Sequence, residues 1–415
     1  MRKTIFTANR KKLTQQQFLK HLKNFRLNGN GSATQQSVFA KAGKRYPVYI
    51  NEFWTSKQRQ ANSLHEVSYR ACFKPQLPHF FIGLLTNEGD TVYDPFNGRG
   101  TTIIEAALMG RNVAANDVNP LSLMLSEPRI NIPELKEVEK RLASIQFEKK
   151  LKADIDLSMF YHPDTESEIV SLRHYLKNKR KPDKVDNWIR MVATNRLTGH
   201  SKGFFSVYTL PPNQAVSAER QKKINKARKQ KPEYRNVKEL ILRKSKQLLS
   251  QIDNETRGKL RQVKCNTYNT DASATKAIAD NSIALTVTSP PFLDIVQYAS
   301  DNWLRCWFNN IDVKQVEKKI TMSKTVEDWA NKMQQVFNEL FRITKKDGTV
   351  AFEVGEVHKG KTRLEEVVVD VGLNAGFACS CILINQQQFT KTSNIWGVSN
   401  NASGTNSNRI VVFRK

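Results

Sequence analysis

The stretch Leu285-Thr286-Val287-Thr288-Ser289-Pro290-Pro291-Phe292 determines how this chain is organised. Its apolar, β-branched run predicts a buried strand, and the proline pair ends that strand because proline has no backbone N–H to donate within a sheet. The turn should hold the Ser289 hydroxyl, the Pro290 carbonyl and the Phe292 ring at the carboxyl end of the strand, where open α/β sheets bind ligands. Two hydrogen-bond acceptors beside an aromatic ring suit a flat heterocycle with an exocyclic amino group. Taken alone, the stretch is described as well by a plain strand and turn.

Residues 90–110 predict a second strand, a glycine-rich turn and a helix. Gly98 and Gly100 allow the backbone to approach a ligand closely, and the start of the helix offers unpaired N–H groups. Asp117 follows the next strand, roughly 20 residues after Asp94, which is the spacing at which an acidic residue reaches a ribose hydroxyl. No Gly-Lys-Ser/Thr sequence follows the glycines, so we expect an adenosine without a pyrophosphate rather than a nucleoside triphosphate.

The composition is strongly basic, with 66 Lys and Arg against 39 Asp and Glu, a formal net charge of +27. Such an excess predicts a polyanionic partner, because lysine and arginine release condensed counterions when they meet phosphates. The sequence contains no long apolar span and no basic amphipathic helix, which favours nucleic acid over a membrane. The amino terminus lacks an apolar signal region, and the five cysteines form no CxxC pair. We therefore expect a cytoplasmic, nucleoid-associated protein with reduced thiols and no metal site.

Changes in composition divide the chain into four predicted parts. A basic polar arm (1–45) precedes the first half of an α/β domain (46–125), a helical basic insert (126–262) and the second half of the domain (263–415). Within the insert, Glu219–Lys246 contains 12 Lys or Arg and three Glu among 28 residues. A charged run is often only a solvated face, but in so basic a chain it favours a helix that follows phosphates.

Together these segments resemble the amino-group DNA methyltransferases, which transfer a methyl group from S-adenosyl-L-methionine to an exocyclic amine. Asp94-Pro95-Phe96-Asn97-Gly98-Arg99-Gly100-Thr101-Thr102 is similar to the cofactor motif of that family, and Thr288-Ser289-Pro290-Pro291-Phe292 is similar to its catalytic motif. The resemblance covers about 46–125 and 263–415, and implies a Rossmann-like class I methyltransferase sheet of the α/β class. It makes 46–125 the cofactor-binding half, 263–415 the catalytic half, and 126–262 the target-recognition region.

The resemblance also implies the target. Family members with Ser before the proline pair mostly modify cytosine N4, whereas those with Asp or Asn mostly modify adenine N6. We therefore expect a site-specific DNA cytosine-N4 methyltransferase that acts on a flipped base. The alternatives are adenine N6, an RNA base, or a nucleic-acid-binding protein of the same fold without turnover. The expected partner is double-stranded DNA, and a cognate restriction endonuclease is a further candidate.

Three sets of site residues follow. The expected catalytic residues are Ser289, Pro290, Pro291 and Phe292. The expected cofactor-binding residues are Tyr69, Asp94, Pro95, Phe96, Gly98, Gly100, Thr101, Thr102, Asp117 and Asp271. The expected DNA-binding residues are Arg196, Lys202, Lys222, Lys223, Arg228, Lys229, Asn400 and Asn401, the last two in a long polar loop suited to base edges.

Overall fold

The computed structural model describes residues 11–41, 43–55, 61–70, 72–211, 215–291, 298–320, 323, 325–355, 363–386 and 407–415. In these ranges one sheet contains the strands β1 Gln35–Lys41, β2 Lys44–Asn51, β3 Thr91–Asp94, β4 Asn112–Asn116, β5 Cys265–Tyr268, β6 Ile283–Thr288, β7 Thr344–Val354, β8 Ala378–Gln386 and β9 Ser407–Arg414. The helices are α1 Gln15–Lys23, α2 Gln76–Leu85, α3 Thr101–Leu108, α4 Pro120–Ser126, α5 Leu135–Ser144, α6 Pro163–Lys177, α7 Lys184–Arg196, α8 Ala218–Arg228, α9 Val237–Leu249, α10 Asn254–Gln262, α11 Tyr298–Asp301, α12 Trp303–Phe308, α13 Val313–Lys319, α14 Val326–Ile343 and α15 Leu364–Asn374.

The strands lie in the order β1-β2-β8-β9-β7-β6-β3-β4-β5. From β5 to β7 the neighbours are parallel, and β9 runs antiparallel between β7 and β8. The predicted α/β, Rossmann-like sheet is therefore confirmed. The chain crosses from β3 to β4 on one side and reaches β6 on the other, so the carboxyl ends of these strands form a topological switch point, where such sheets bind ligands.

Burial explains why β6 occupies the middle of the sheet. All six of its residues are buried, and Leu285 pairs with Val92 of β3. A strand covered on both faces reads as a continuous apolar run, as parallel strands do. Helices α14 and α15 pack on one face of the sheet, while α2 and α3 pack on the other together with the insert.

A hairpin of β1 and β2 extends the sheet beyond β8, with Val48 beside Ile382. The expected end of the amino-terminal arm at residue 45 falls inside this hairpin, so residues 35–41 and 44–45 pair within the sheet. The remaining predicted boundaries, at 125 and 262, stay predictions. Most of β1 is exposed, which is why its sequence carries little apolar signal.

The insert is mostly helical, as predicted, with α5 to α10 lying between β4 and β5 in the chain. Its core is continuous with one face of the sheet: Trp188 is fully buried and donates from Nε1 to the Ser245 hydroxyl at 2.9 Å. The Ser63 hydroxyl also donates to the Leu248 carbonyl at 2.7 Å, which joins the segment before the cofactor motif to α9. The insert is thus packed against the domain that it interrupts.

Helix α3 is held by a carboxylate that two histidines share. Glu105 accepts from His65 Nε2 at 2.8 Å and from His79 Nδ1 at 2.7 Å. Burial alone would raise the pKa of Glu105, but the two histidine hydrogen bonds lower this pKa to about 2. The carboxylate is therefore ionised at neutral pH and ties the start of α2 to the helix that carries the cofactor motif.

The described ranges contain neither a membrane span nor a metal-binding cluster. No helix there is both long and apolar enough to cross a lipid bilayer. Within the same ranges, no cluster of three or more His, Cys, Asp or Glu is arranged to hold a metal ion. The five cysteines are free thiols.

Candidate functional site

A cleft opens at the carboxyl ends of β3, β4, β5 and β6. It brings together predicted residues from both motifs, which stand far apart in sequence. Those that line it are Tyr69, Pro95, Phe96, Gly98, Asp117, Asp271, Ser289 and Pro291.

Asp117, at the end of β4, is the carboxylate placed to meet a ribose. Its two oxygens accept from the Gly98 and Asn119 amides at 2.8 and 2.9 Å. Gly98 has φ +51°, a backbone conformation that favours glycine. Burial raises the pKa of Asp117 to about 6, although the two amides oppose this shift. Because the amides fix the carboxylate in the cleft wall, the site fits the adenosine part of S-adenosylmethionine without any phosphate group.

Four predicted cofactor residues lie behind the cleft wall and do not line it. Asp94 Oδ1 accepts from Thr288 Oγ1 at 2.6 Å, and Thr102 Oγ1 donates to the Val287 carbonyl at 2.9 Å. Thr101 Oγ1 accepts from Arg99, and Gly100, with φ +80°, packs so tightly that a Cβ would lie 2.4 Å from the Ser126 Cβ. These residues hold the turn of the cofactor motif against β6. They support the cleft wall without lining the cleft.

Asp271 follows β5 and lines the cleft, as predicted. It forms an ion pair with Lys332 of α14 at 2.8 Å and accepts from the Ser273 amide and hydroxyl. Burial would raise the pKa of Asp271, but these partners hold it below its ordinary value. Helices α13 and α14, with Ile320 and Ser323 between them, were not expected at the cleft because they are far from either motif. The cleft residues that the sequence analysis missed there are Lys319, Ile320, Ser323, Trp329, Lys332, Met333 and Val336.

The turn after β6 is fixed from two sides. The Ser289 hydroxyl lies beside the carboxylate of Glu353 and opposes the rise in the pKa of that group. Glu353 is on β7, the strand that pairs with β6 through Thr288 and Phe352. Glu353 Oε1 also accepts from Asn408 Nδ2 at 2.5 Å. On the other side, Trp329 Nε1 donates to the Pro291 carbonyl at 3.0 Å. Pro290 is buried, and Phe292 lies outside the described residues.

Glu353 is a site residue that the sequence analysis missed. Its side chain is buried, and burial raises its pKa even though the hydrogen bonds from Asn408 and Ser289 oppose this shift. A carboxylate that takes the Ser289 proton in a hydrogen bond leaves the lone pairs of Ser289 Oγ free to accept from a ligand. One signal was present in the sequence: an acidic residue inside the apolar run of β7.

The predicted DNA-binding residues fall into separate places. Helix α8 is exposed along its basic side, with a long Lys222–Asp156 ion pair of 3.8 Å and Arg228 stacked 3.9 Å from the Tyr208 ring. Lys223 is exposed on the same helix, and Lys229 is exposed directly after its last residue, Arg228. In contrast, Arg196 is buried at the end of α7, with Lys202 in the loop that follows. Asn400 and Asn401 lie outside the described residues.

Comparison with known proteins gives one family and several partial relatives. Residues 2–153 match the family described as DNA methylase. The type II methyltransferase M.BsoBI of Geobacillus stearothermophilus is 25% identical over 334 residues, which cover 71% of this chain and 64% of that protein. The type II methyltransferase M.MjaII of Methanocaldococcus jannaschii is 29% identical over 105 residues, 24% of this chain and 20% of that protein. This chain therefore spans less than two thirds of the length of these curated relatives.

Among solved structures, one that is similar is the rRNA methyltransferase AviRa of Streptomyces viridochromogenes. The alignment covers 87% of this chain and 94% of the AviRa chain. The two share 10% sequence identity, with a TM-score of 0.33. That score is too low to carry an inference about this protein.

The position of Asp117 gives a direct test of the cofactor site. Asp117→Ala should weaken S-adenosylmethionine binding at least about tenfold, since hydrogen bonds to a charged group contribute about 1.5–3 kcal/mol each. Asp117→Asn, which keeps the shape and one oxygen, should bind with intermediate affinity. Titration calorimetry measures both variants, with circular dichroism to confirm folding. Wild-type affinity in a folded Asp117→Ala protein would remove Asp117 from the cofactor site.

Proposed function

We propose that this chain is an amino-group methyltransferase that uses S-adenosylmethionine and methylates the exocyclic N4 of a cytosine flipped out of double-stranded DNA. Its similarity to the DNA methylase family over residues 2–153 and to a type II methyltransferase supports the proposal. The observation that carries the proposal is the Ser289–Glu353 pair at the edge of the cleft that Asp117 lines. S-adenosylmethionine supplies an electrophilic methyl group when bound. The remaining task, which is to make an amine nucleophilic, falls to residues of this chain.

Cytosine N4 is a weak nucleophile because its lone pair is delocalised into the ring. Ser289 Oγ and the Pro290 carbonyl can accept its two protons, and these hydrogen bonds favour a pyramidal nitrogen whose lone pair faces the methyl group. In this proposal Glu353 accepts the Ser289 proton, so that the hydroxyl presents only acceptor lone pairs to the base. The interaction strengthens as the nitrogen pyramidalises, so it stabilises the transition state more than the bound substrate.

The surroundings of the turn support a rigid acceptor pair. The Trp329 hydrogen bond holds the carbonyl of Pro291, and proline limits backbone rotation at the two positions after Ser289. A base must leave the duplex to reach this position, at a cost of a few kcal/mol. Stacking on an aromatic ring is worth roughly 1–3 kcal/mol and would offset much of that cost. Phe292 is the aromatic ring that we expect to stack on the base, and this role stays a prediction.

The choice of DNA rests on charge. A net charge of +27 and an exposed basic helix α8 favour a polyanionic substrate. Two relatives that match this chain are named type II methyltransferases, which supports DNA as the substrate and a cognate restriction endonuclease as a partner. The choice of cytosine rests on Ser289, the residue that precedes the proline pair.

Ser289→Ala tests the role of the turn after β6 in methyl transfer. The variant should keep its S-adenosylmethionine affinity and lose about 10- to 100-fold in kcat, because the lost hydrogen bond to the reacting amine is worth roughly 1.5–3 kcal/mol. Ser282→Ala, at the opposite end of β6, is the matched control and should turn over normally. Mass spectrometry of nucleosides from wild-type-treated DNA identifies the product. N6-methyladenosine without N4-methylcytosine would overturn the cytosine assignment, and label found only in RNA would overturn DNA as well.

Glu353→Gln tests the acceptor behind Ser289. Because Glu353 must be ionised to accept the serine proton, wild-type kcat should fall as the pH drops through its pKa, which burial raises. The variant should lose about tenfold in kcat near pH 8, the cost of one charged hydrogen bond, and should lack this acidic limb. Glu365→Gln, at another buried glutamate, should keep the limb. Identical pH–kcat profiles for Glu353→Gln and wild type would exclude this role.

Charge reversal tests α8. The variant changes four side chains to Glu: Lys222, Lys223, Arg228 and Lys229. It should weaken DNA binding and flatten the salt dependence, by about 0.9 in the slope of log K for each lost phosphate contact. The control reverses four exposed lysines elsewhere in the insert: Lys136, Lys140, Lys149 and Lys150. Fluorescence anisotropy over a salt series measures both. Equal slopes for variant and control would make α8 an ordinary solvated face.

A further inference from the structure

A group of cations lies where α7 and α9 meet the loop over residues 198–206, next to the Tyr69 wall of the cleft. We call it the arginine pocket. Asn195, the neighbour of Arg196, donates to the Ser68 carbonyl at 3.2 Å, one residue before Tyr69. The members of the pocket are Arg196, Lys202, Gly203, Arg243 and Lys244.

Arg196 is the buried member of the pocket, with 8% of its surface exposed. Its guanidinium stacks 3.9 Å from the Phe204 ring and donates from Nη2 to the Asn195 amide oxygen, while its buried Nε has no acceptor. Burial, together with the like charges of Arg305 and Arg243, lowers the pKa of Arg196 to about 10. Burying an unpaired charge costs several kcal/mol, so an anionic group here would relieve a real penalty.

Arg243 faces the same space from α9. Its Nη2 donates to the Lys202 carbonyl at 3.2 Å. Arg235 holds the loop in place by donating to three of its carbonyls, those of Ser201, Phe204 and Ser206. Glu66 is the nearby carboxylate, and it is taken by Lys244 at 3.4 Å and by Gln247. Arg196 and Lys244 are thus the cations that interact with this carboxylate, and Lys244 contacts it directly.

Gly203 marks the space between the two arginines. A Cβ at this residue would lie 3.9 Å from Arg196 Nη1 and 3.7 Å from Arg243 Nη2. The carboxyl end of α7 favours a cation and accounts for Arg196 alone. It does not account for a second guanidinium from another helix that approaches the same point. Two converging guanidiniums are the arrangement that binds a phosphate oxygen.

We propose that the arginine pocket binds a phosphodiester of the nucleic-acid substrate, with Arg196 and Arg243 as its ligands. The identity of the anion rests on the proposed function, whereas the anion site itself does not. Asn195, next to Arg196, is hydrogen-bonded to Ser68 beside the cleft wall. The bound phosphate would therefore lie close to the nucleotide that enters the cleft. A buried, fixed arginine therefore sets the position of the target nucleotide, a different task from that of the exposed cations of α8.

Gly203→Asp tests the pocket, with Gly203→Asn as the control of equal shape. The Gly203 backbone lies outside the left-handed region, so a side chain fits there. The Asp carboxylate would reach both guanidiniums and take the place of the phosphate. It should reduce DNA affinity at least about tenfold and lower the salt slope by about 0.9, while Asn should stay near wild type. Both variants should keep their S-adenosylmethionine affinity.

A second measurement needs no nucleic acid. Sodium phosphate, compared with sodium chloride at equal ionic strength, should raise the Tm of wild type and of Gly203→Asn but not that of Gly203→Asp. Equal phosphate shifts in the two variants would overturn the anion site. Equal DNA affinities in the two variants would overturn its assignment to the substrate. If the phosphate shifts are as expected but wild type neither binds nor methylates DNA, the anion site stands and the proposed function fails.

Discussion

The hydrogen bond from Thr288 Oγ1 to Asp94 Oδ1, at 2.6 Å, is the contact on which the site depends. It joins the ends of β6 and β3, which carry the Ser-Pro-Pro turn and the glycine turn. Burial raises the pKa of Asp94 to about 7, although Thr288 and the Phe96 amide oppose this shift. The carboxyl group is buried at that energetic cost, and its hydrogen bond aligns the two turns that line the cleft. A shift at this bond would move the two turns apart.

The parts of the site that were predictable have local signals. A few residues of sequence are enough to recognise a glycine turn between a strand and a helix. The same is true of a proline pair after an apolar strand. The order of β3, α3, β4 and β6, and the cleft positions of Asp117 and Ser289, follow from these signals and from the rule that ligands bind at carboxyl strand ends. The roles of Asp94 and Thr102 did not follow, because a motif shows which residues recur together and not which of them face the ligand.

The parts that were not predictable depend on pairing at long range. Glu353 meets Ser289 only through the register of β6 with β7, and Trp329 reaches the Pro291 carbonyl from a helix 38 residues away. The first strand of the β1–β2 hairpin is mostly exposed. Its sequence therefore lacks the alternation of apolar and polar residues that predicts a half-buried strand. The basic run of α8 was visible from composition, but composition does not separate a cation on the surface from one inside, such as Arg196.

Whether a cation is exposed or buried determines how it acts on an anionic partner. Exposed lysines on α8 are screened beyond about 8 Å at physiological ionic strength, so they favour encounter with a polyanion without fixing its orientation. Arg196 is held by the Phe204 ring and the Asn195 amide, and therefore loses little conformational entropy when it gains an anionic partner. Methyl transfer needs the acceptor nitrogen within a few tenths of an ångström of its place. In this proposal a fixed cation, joined to the Tyr69 wall through the Asn195–Ser68 hydrogen bond, sets the position of the nucleotide.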